Sequence, residues 1–146
     1  MNKSLTPNWP FLKMHGLGND FVILDWRKTA LDLPPALITG LADRHRGVGF
    51  DQLAVIESGT GDAHLRFFNA DGSVSEACGN ATRCIARYLM DELEKSSLHL
   101  TTDRGALRAE TSPDGSVAIN MGQPLLTWQD IPLSEAMETL VLPIKG

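Results

Sequence analysis

Cysteine is scarce here: two residues in 146, Cys78 and Cys84. That is too few to staple a disulfide-dense fold, and two thiols in a chain whose start shows no secretion signal fit a reducing cytosol. A zinc centre needs about four Cys or His ligands, usually paired at close spacing. Cys78-x5-Cys84 is not such a pair, and the four histidines (15, 45, 64 and 99) fall in no ligand or protease motif, so no metal is expected. Long apolar runs are also missing; none approaches the roughly 18 uncharged residues of a membrane span. Clustered positive charge is missing too. The net charge is −5, and the one basic knot, Arg44-His45-Arg46, lies between Asp43 and Asp51 and reads as a solvated helix end. A nucleic-acid partner, whose affinity rests on grouped Lys and Arg, is therefore not expected.

What remains is an ordinary globular composition, 42% apolar and 21% charged, long enough to bury one real core. The pattern predicts strands over Phe11–His15 and Asp20–Asp25, joined by a turn through Gly16-Leu17-Gly18-Asn19. A short helix follows in PPALITGLADRH, opened by its proline pair. Next come a strand in QLAVIE and its hairpin partner in AHLRFFN across the turn SGTGD. A long helix should run from about Asn80 to Glu94, followed by strands in SLHLTT, GALRAE and SVAINM. The Pro-punctuated tail from Gln123 has room for one helical turn after Ser134.

The long helix fixes the expected architecture. Arg83, Arg87, Asp91 and Glu94 form one narrow charged stripe. Ala81, Cys84, Ile85, Ala86, Tyr88, Leu89, Met90 and Leu93 cover most of the remaining circumference. A helix apolar over so wide an arc is buried on several sides. The expected fold is α+β, a curved, mainly antiparallel, barrel-like sheet wrapped around a central helix.

The two cysteines read differently. Cys84 falls inside the apolar arc and is expected to pack in the core. Cys78 follows the Asp71-Gly72 turn, precedes Gly79, and should sit at the N-terminus of the long helix. Unpaired backbone N–H groups and the positive end of the helix dipole favour a thiolate placed there and offer a pocket for a carboxylate. Such a thiolate can attack a carbonyl, exchange with a disulfide, or remove a proton next to a carboxylate. A Cys78–Cys84 disulfide is not expected, because six helical residues separate the Cα atoms by about 9 Å, beyond the limit of about 7 Å.

Three stretches, KMHGLGNDFVILD (Lys13–Asp25), RHRGVGFDQL (Arg44–Leu53) and FNADGSVSEACGNATRC (ending at Cys84), together resemble the N-terminal half of the diaminopimelate epimerase family. The resemblance covers about the first 120 residues in order and spacing. It implies a pyridoxal-phosphate-independent isomerase, needing no cofactor, that interconverts LL- and meso-diaminopimelate in the cytoplasm for lysine and peptidoglycan precursors. It implies Cys78 as one of two catalytic thiols. It implies Asn19, Gln52 and Asn69 as residues holding the substrate's polar groups, with Gly79 and Asn80 as backbone donors to the reacting α-carboxylate. The family's commonest pattern is Cys-Gly-Asn-Gly; here the fourth position is Ala81, which a helical conformation would favour by about 1 kcal/mol.

Family members pair two similar domains, each bringing one cysteine. The expectation is accordingly one N-terminal domain over 1–146, with a core to about 122 and a linker or the start of a second domain from 123. Its partner is the missing C-terminal domain. The surface which that domain would cover should be partly apolar, so homodimerisation is an expectation. The chain alone should be inactive or nearly so. Rival readings are a non-catalytic small-ligand-binding module of the same fold, a related racemase acting on proline or hydroxyproline, and a thiol redox sensor. The proline-type enzymes tend to carry His where this chain has Asn80.

Overall fold

The computed structural model describes residues 8–29, 32–131 and 133–141. The readings made on the first seven residues and on the ending at Gly146 lie outside them. The strands are β1 (Leu12–Gly16), β2 (Asn19–Asp25), β3 (Gln52–Glu57), β4 (Ala63–Asn69), β5 (Val74–Ser75), β6 (Ser97–Thr102), β7 (Gly105–Thr111) and β8 (Val117–Asn120). The helices are α1 (Pro35–Ala42) and α2 (Gly79–Leu93). They build one sheet in the order β1-β2-β3-β4-β6-β7-β8, with β5 on the edge of β4.

The hairpin β1–β2 turns on only Leu17 and Gly18, both at positive φ (54° and 87°). A two-residue turn of this hand matches the twist of the flanking strands. Gly16, just before it, lets the hairpin lie against α2, where an added Cβ would come within 3.2 Å of the Asn80 Cβ.

Two pairings are parallel, β2 with β3 and β4 with β6; the other five are antiparallel. Each parallel pair is bridged by a helix, α1 in the first and α2 in the second. Such crossovers are right-handed. The antiparallel step from β3 to β4 reverses strand direction while the chain keeps advancing across the sheet, so the two helices fall on opposite faces. The cores confirm it. Val22, Leu24, Leu53 and Val55 pack with Ile38 of α1, whereas Phe21, Ile23, Ala54 and Ile56 pack with Ile85 and Leu89 of α2. Strands β2 and β3, covered on both faces, accordingly read as unbroken apolar runs.

The sheet curls around α2 far enough that both edge strands, β1 and β8, pack against it. The result is a half-barrel with α2 as its axis, as the wide apolar arc predicts. Ala81, Ile85, Ala86 and Leu89 are fully buried, and α2 ends at Glu94 in the left-handed conformation. Ala81 lies inside the helix and inside the core. Ala81→Gly should therefore lower stability by about 1 kcal/mol from backbone freedom alone, seen as an earlier urea midpoint with unchanged slope.

One expectation fails. Among the described residues after Ser134, to Val141, there are bends and no helical turn. Leu140 and Val141 there are 77% and 75% exposed, so no apolar face is buried to offset the cost of nucleating so short a helix. No helix among the described residues is long and apolar enough to cross a membrane.

Candidate functional site

Topology gathers the site at one rim of the half-barrel. Strands β2 and β3 run parallel, so their first residues, Asn19 and Gln52, lie at the same end; Phe21 is in register with Gln52. Strand β4 runs the other way and brings its last residue, Asn69, opposite Gln52. Helix α2 returns antiparallel to β4 and starts at this rim.

Cys78 is the N-cap of α2, in extended conformation (φ −146°, ψ 101°). Its Sγ accepts the N–H of Ala81 at 3.4 Å, the position an N-cap oxygen takes in other helices. The cap is locked from behind: the Cys78 carbonyl accepts both the Thr82 N–H at 2.9 Å and the Thr82 hydroxyl at 2.7 Å. Thr82 is fully buried. The N–H groups of Gly79 and Asn80 find no acceptor among the described residues, as expected for a first helical turn. At Gly79 an added Cβ would stand 3.3 Å from the Met121 Sδ, so a side chain there would press on Met121. Cys78 is half-buried, and both cysteines are free. Burial pushes the Cys84 thiol up, in keeping with its place in the core.

The flanking amides form two groups. Gln52 donates to Asn69 Oδ1 at 3.0 Å and to Ser75 Oγ at 3.4 Å, and Asn69 donates to Ser73 Oγ at 3.0 Å. Ser75 in turn donates to the Ala77 carbonyl, next to the thiol. Asn19 accepts from the Asn80 Nδ2 at 3.5 Å. Asn19 and Asn80 are thus joined directly, while Gln52 and Asn69 reach the cysteine through β5, a two-residue strand that no sequence pattern announced.

A charged clamp holds the rim together. Arg44 forks onto both oxygens of Asp20 (2.9 and 2.7 Å) and also reaches Asp51 at 2.9 Å. Lys13 adds a bond to Asp20 at 2.8 Å. Backbone N–H groups close the loop: Asp20 N–H meets Asp51 Oδ2 and Asp51 N–H meets Asp20 Oδ1, each at 3.0 Å. Arg44 therefore does more than solvate a helix end; it ties the start of β2 to the start of β3. The signal in sequence was only three charges in the right motifs.

The Arg44 guanidinium holds the Asp20 carboxyl far below its ordinary value of 3.8, against an opposing push from burial, with Lys13 adding to the lowering. A carboxylate depressed on folding contributes stability that is full above its unfolded value and fades as pH falls through the folded one. Unfolding midpoints in urea should thus drop as pH is lowered below about 4, and Asp20→Asn should flatten that slope.

Cavities do not single out the thiol. One of about 520 Å³ is lined by Phe11, Leu12, Asp25, Tyr88 and Glu92, against the far half of α2. Tyr88 lies ten helical residues from Cys78, about 15 Å along the axis. A second, of about 470 Å³, borders the cysteine's rim at Ala77, Thr102, Leu107 and Met121. Chemistry favours the second, since Ala77 directly precedes the N-cap cysteine and Met121 faces Gly79 of the first helical turn.

A half-barrel threaded by one helix is a fold shared with solved structures. A phenazine biosynthesis protein of the PhzF family from Bacillus anthracis superposes with a TM-score of 0.50 at 22% identity, covering 76% of this chain and 38% of the other. Sequence narrows the class to one family. The diaminopimelate epimerase profile matches residues 11–127, and this chain belongs to that family. It is 54% identical over 134 residues to the diaminopimelate epimerase of Acidiphilium cryptum, covering 91% of this chain and 48% of that protein. The Rhodospirillum centenum enzyme is 47% identical over 136 residues, covering 91% and 47%. The chain spans about half the length of the curated relatives it matches.

Proposed function

We propose that this chain is the cysteine-bearing N-terminal lobe of a cytoplasmic diaminopimelate epimerase. In this reading residues to about 122 form the lobe, and those from 123 lead into a second domain. The observation that carries it is Cys78 at the N-cap of a buried helix, beside two uncommitted backbone N–H groups. An α-C–H next to a carboxylate is a very weak acid, so removing its proton requires a positioned base and a place for the charge that develops. The Cys78 thiolate takes the proton: the C–H bond breaks, an S–H bond forms, and the electron pair spreads into the carboxylate. The N–H groups of Gly79 and Asn80 receive that carboxylate, with the helix dipole behind them. An acid on the opposite face then protonates the carbon, which inverts the centre with no net gain or loss of atoms. The lobe that this chain does not span would supply that acid. Asn19, Gln52 and Asn69 line the same rim and hold the substrate's polar groups. No cofactor is required, since thiol and helix end supply both needs.

The test is a chimera in which this chain replaces the matching half of the Acidiphilium cryptum relative. It should interconvert LL- and meso-diaminopimelate, while the 146-residue chain alone should not. A folded chimera that binds diaminopimelate yet never epimerises it would leave a ligand-holding module instead.

A further inference from the structure

We propose that Asp51 and Arg83 are positioning residues that set the orientation of two joined amides at the rim, Asn19 and Asn80. The inference rests on the site reading above and deepens it. Asp51 Oδ2 lies 3.2 Å from Asn19 Nδ2. A carboxylate only accepts, so the NH2 of Asn19 must face it. The Asn19 carbonyl oxygen then points away, toward the Asn80 Nδ2 at 3.5 Å. The remaining oxygen of Asn80 accepts from the Arg83 guanidinium, a group that only donates. The four side chains form one polarised row from anion to cation, and both amides point the same way along it.

The charged ends make this assignment firm. Turning Asn19 over would set its carbonyl against the Asp51 carboxylate and its NH2 against the NH2 of Asn80. Turning Asn80 over would set its NH2 against the Arg83 guanidinium. Each error pairs like with like, which costs more than one missing bond. The anionic end is itself held. Asp51 is gripped by Arg44 and by the Asp20 N–H. Arg83 stands on α2 three residues beyond Asn80, and its Nη1 lies 3.9 Å from where a Gly79 Cβ would be. Within the charged stripe of α2, Arg83 thus has a partner at the site. Donor and acceptor are thereby fixed on Asn19 and on Asn80 of the first helical turn. Substrate meets a set polarity and orders nothing on arrival.

Asp51→Asn is nearly isosteric and can donate as well as accept, so it permits Asn19 to turn over. In the chimera it should raise the KM for diaminopimelate about tenfold, the worth of one ordinary hydrogen bond, with kcat within about twofold. Arg83→Met should do the same, and Arg83→Lys, which keeps a cationic donor, should recover most of the loss. A purely structural role would lower the melting temperature without this split between KM and kcat. The orientation itself is read on the 146-residue chain by NMR: the Asn19 side-chain NH2 protons should exchange with solvent about tenfold faster in Asp51→Asn. Unchanged exchange there overturns the proposal, as does an unchanged KM in an active chimera. An inactive wild-type chimera would instead count against the proposed function, with the exchange rates still deciding the orientation.

Discussion

Leu89→Ala should destabilise the domain by about 3–5 kcal/mol, the upper range for truncating a buried leucine, because the site can collapse so little. Leu89 is fully buried, and on α2 it is enclosed by the inner faces of a sheet that wraps the helix on several sides. Nearby side chains such as Phe21, Leu98 and Ala109 belong to strands fixed by their own ladders. A helix lying flat on one sheet could shift to close the gap; an axial helix has nowhere to move. The melting temperature should fall by on the order of 10 °C. Leu126→Ala, at a side chain 55% exposed, should stay within about 0.5 kcal/mol. Equal effects from the two would mean that α2 is not the axis of the core.

The second large effect concerns the sulfur. In the chimera, Cys78→Ser should reduce epimerisation by about 10²- to 10⁴-fold, the usual worth of a positioned acid–base group. Serine is a good N-cap and can still accept the Ala81 N–H, so the helix and the anion pocket survive. What is lost is the sulfur that takes the proton from carbon. Substrate affinity should change little, because the backbone N–H groups and the flanking amides remain. Parallel losses in binding and turnover would place Cys78 among the structural capping residues and remove it from the chemistry.

Much of this was legible because it is local. Short apolar or alternating runs between turn signals gave every strand but β5 within a residue or two. The wide apolar arc from Ala81 to Leu93 gave an axial helix and therefore a curled sheet, and the α+β class follows from those two facts. The Cys-Gly pair ahead of that arc placed the thiol at the helix start. Interactions between distant segments were not legible. Arg44 meets Asp20 across 24 positions and Asn80 meets Asn19 across 61; nothing in either neighbourhood names its partner. The two parallel pairings escaped for a related reason, since strand direction is set by where a crossover helix packs. The bond from Arg83 to Asn80 was not legible either, because helical spacing gives only the face a side chain leaves from. It does not give the direction in which a long, flexible cation then folds back.

Whether Cys78 moves a proton at an α-carbon decides what this lobe does. The decisive measurement is solvent deuterium incorporation at the α-carbon of diaminopimelate in D2O, followed in the chimera by NMR or mass spectrometry. Deuterium should appear with the wild-type cysteine and vanish in Cys78→Ala, although that variant still binds the substrate. Exchange that continues unabated without the thiol would contradict the account and assign the proton to another group.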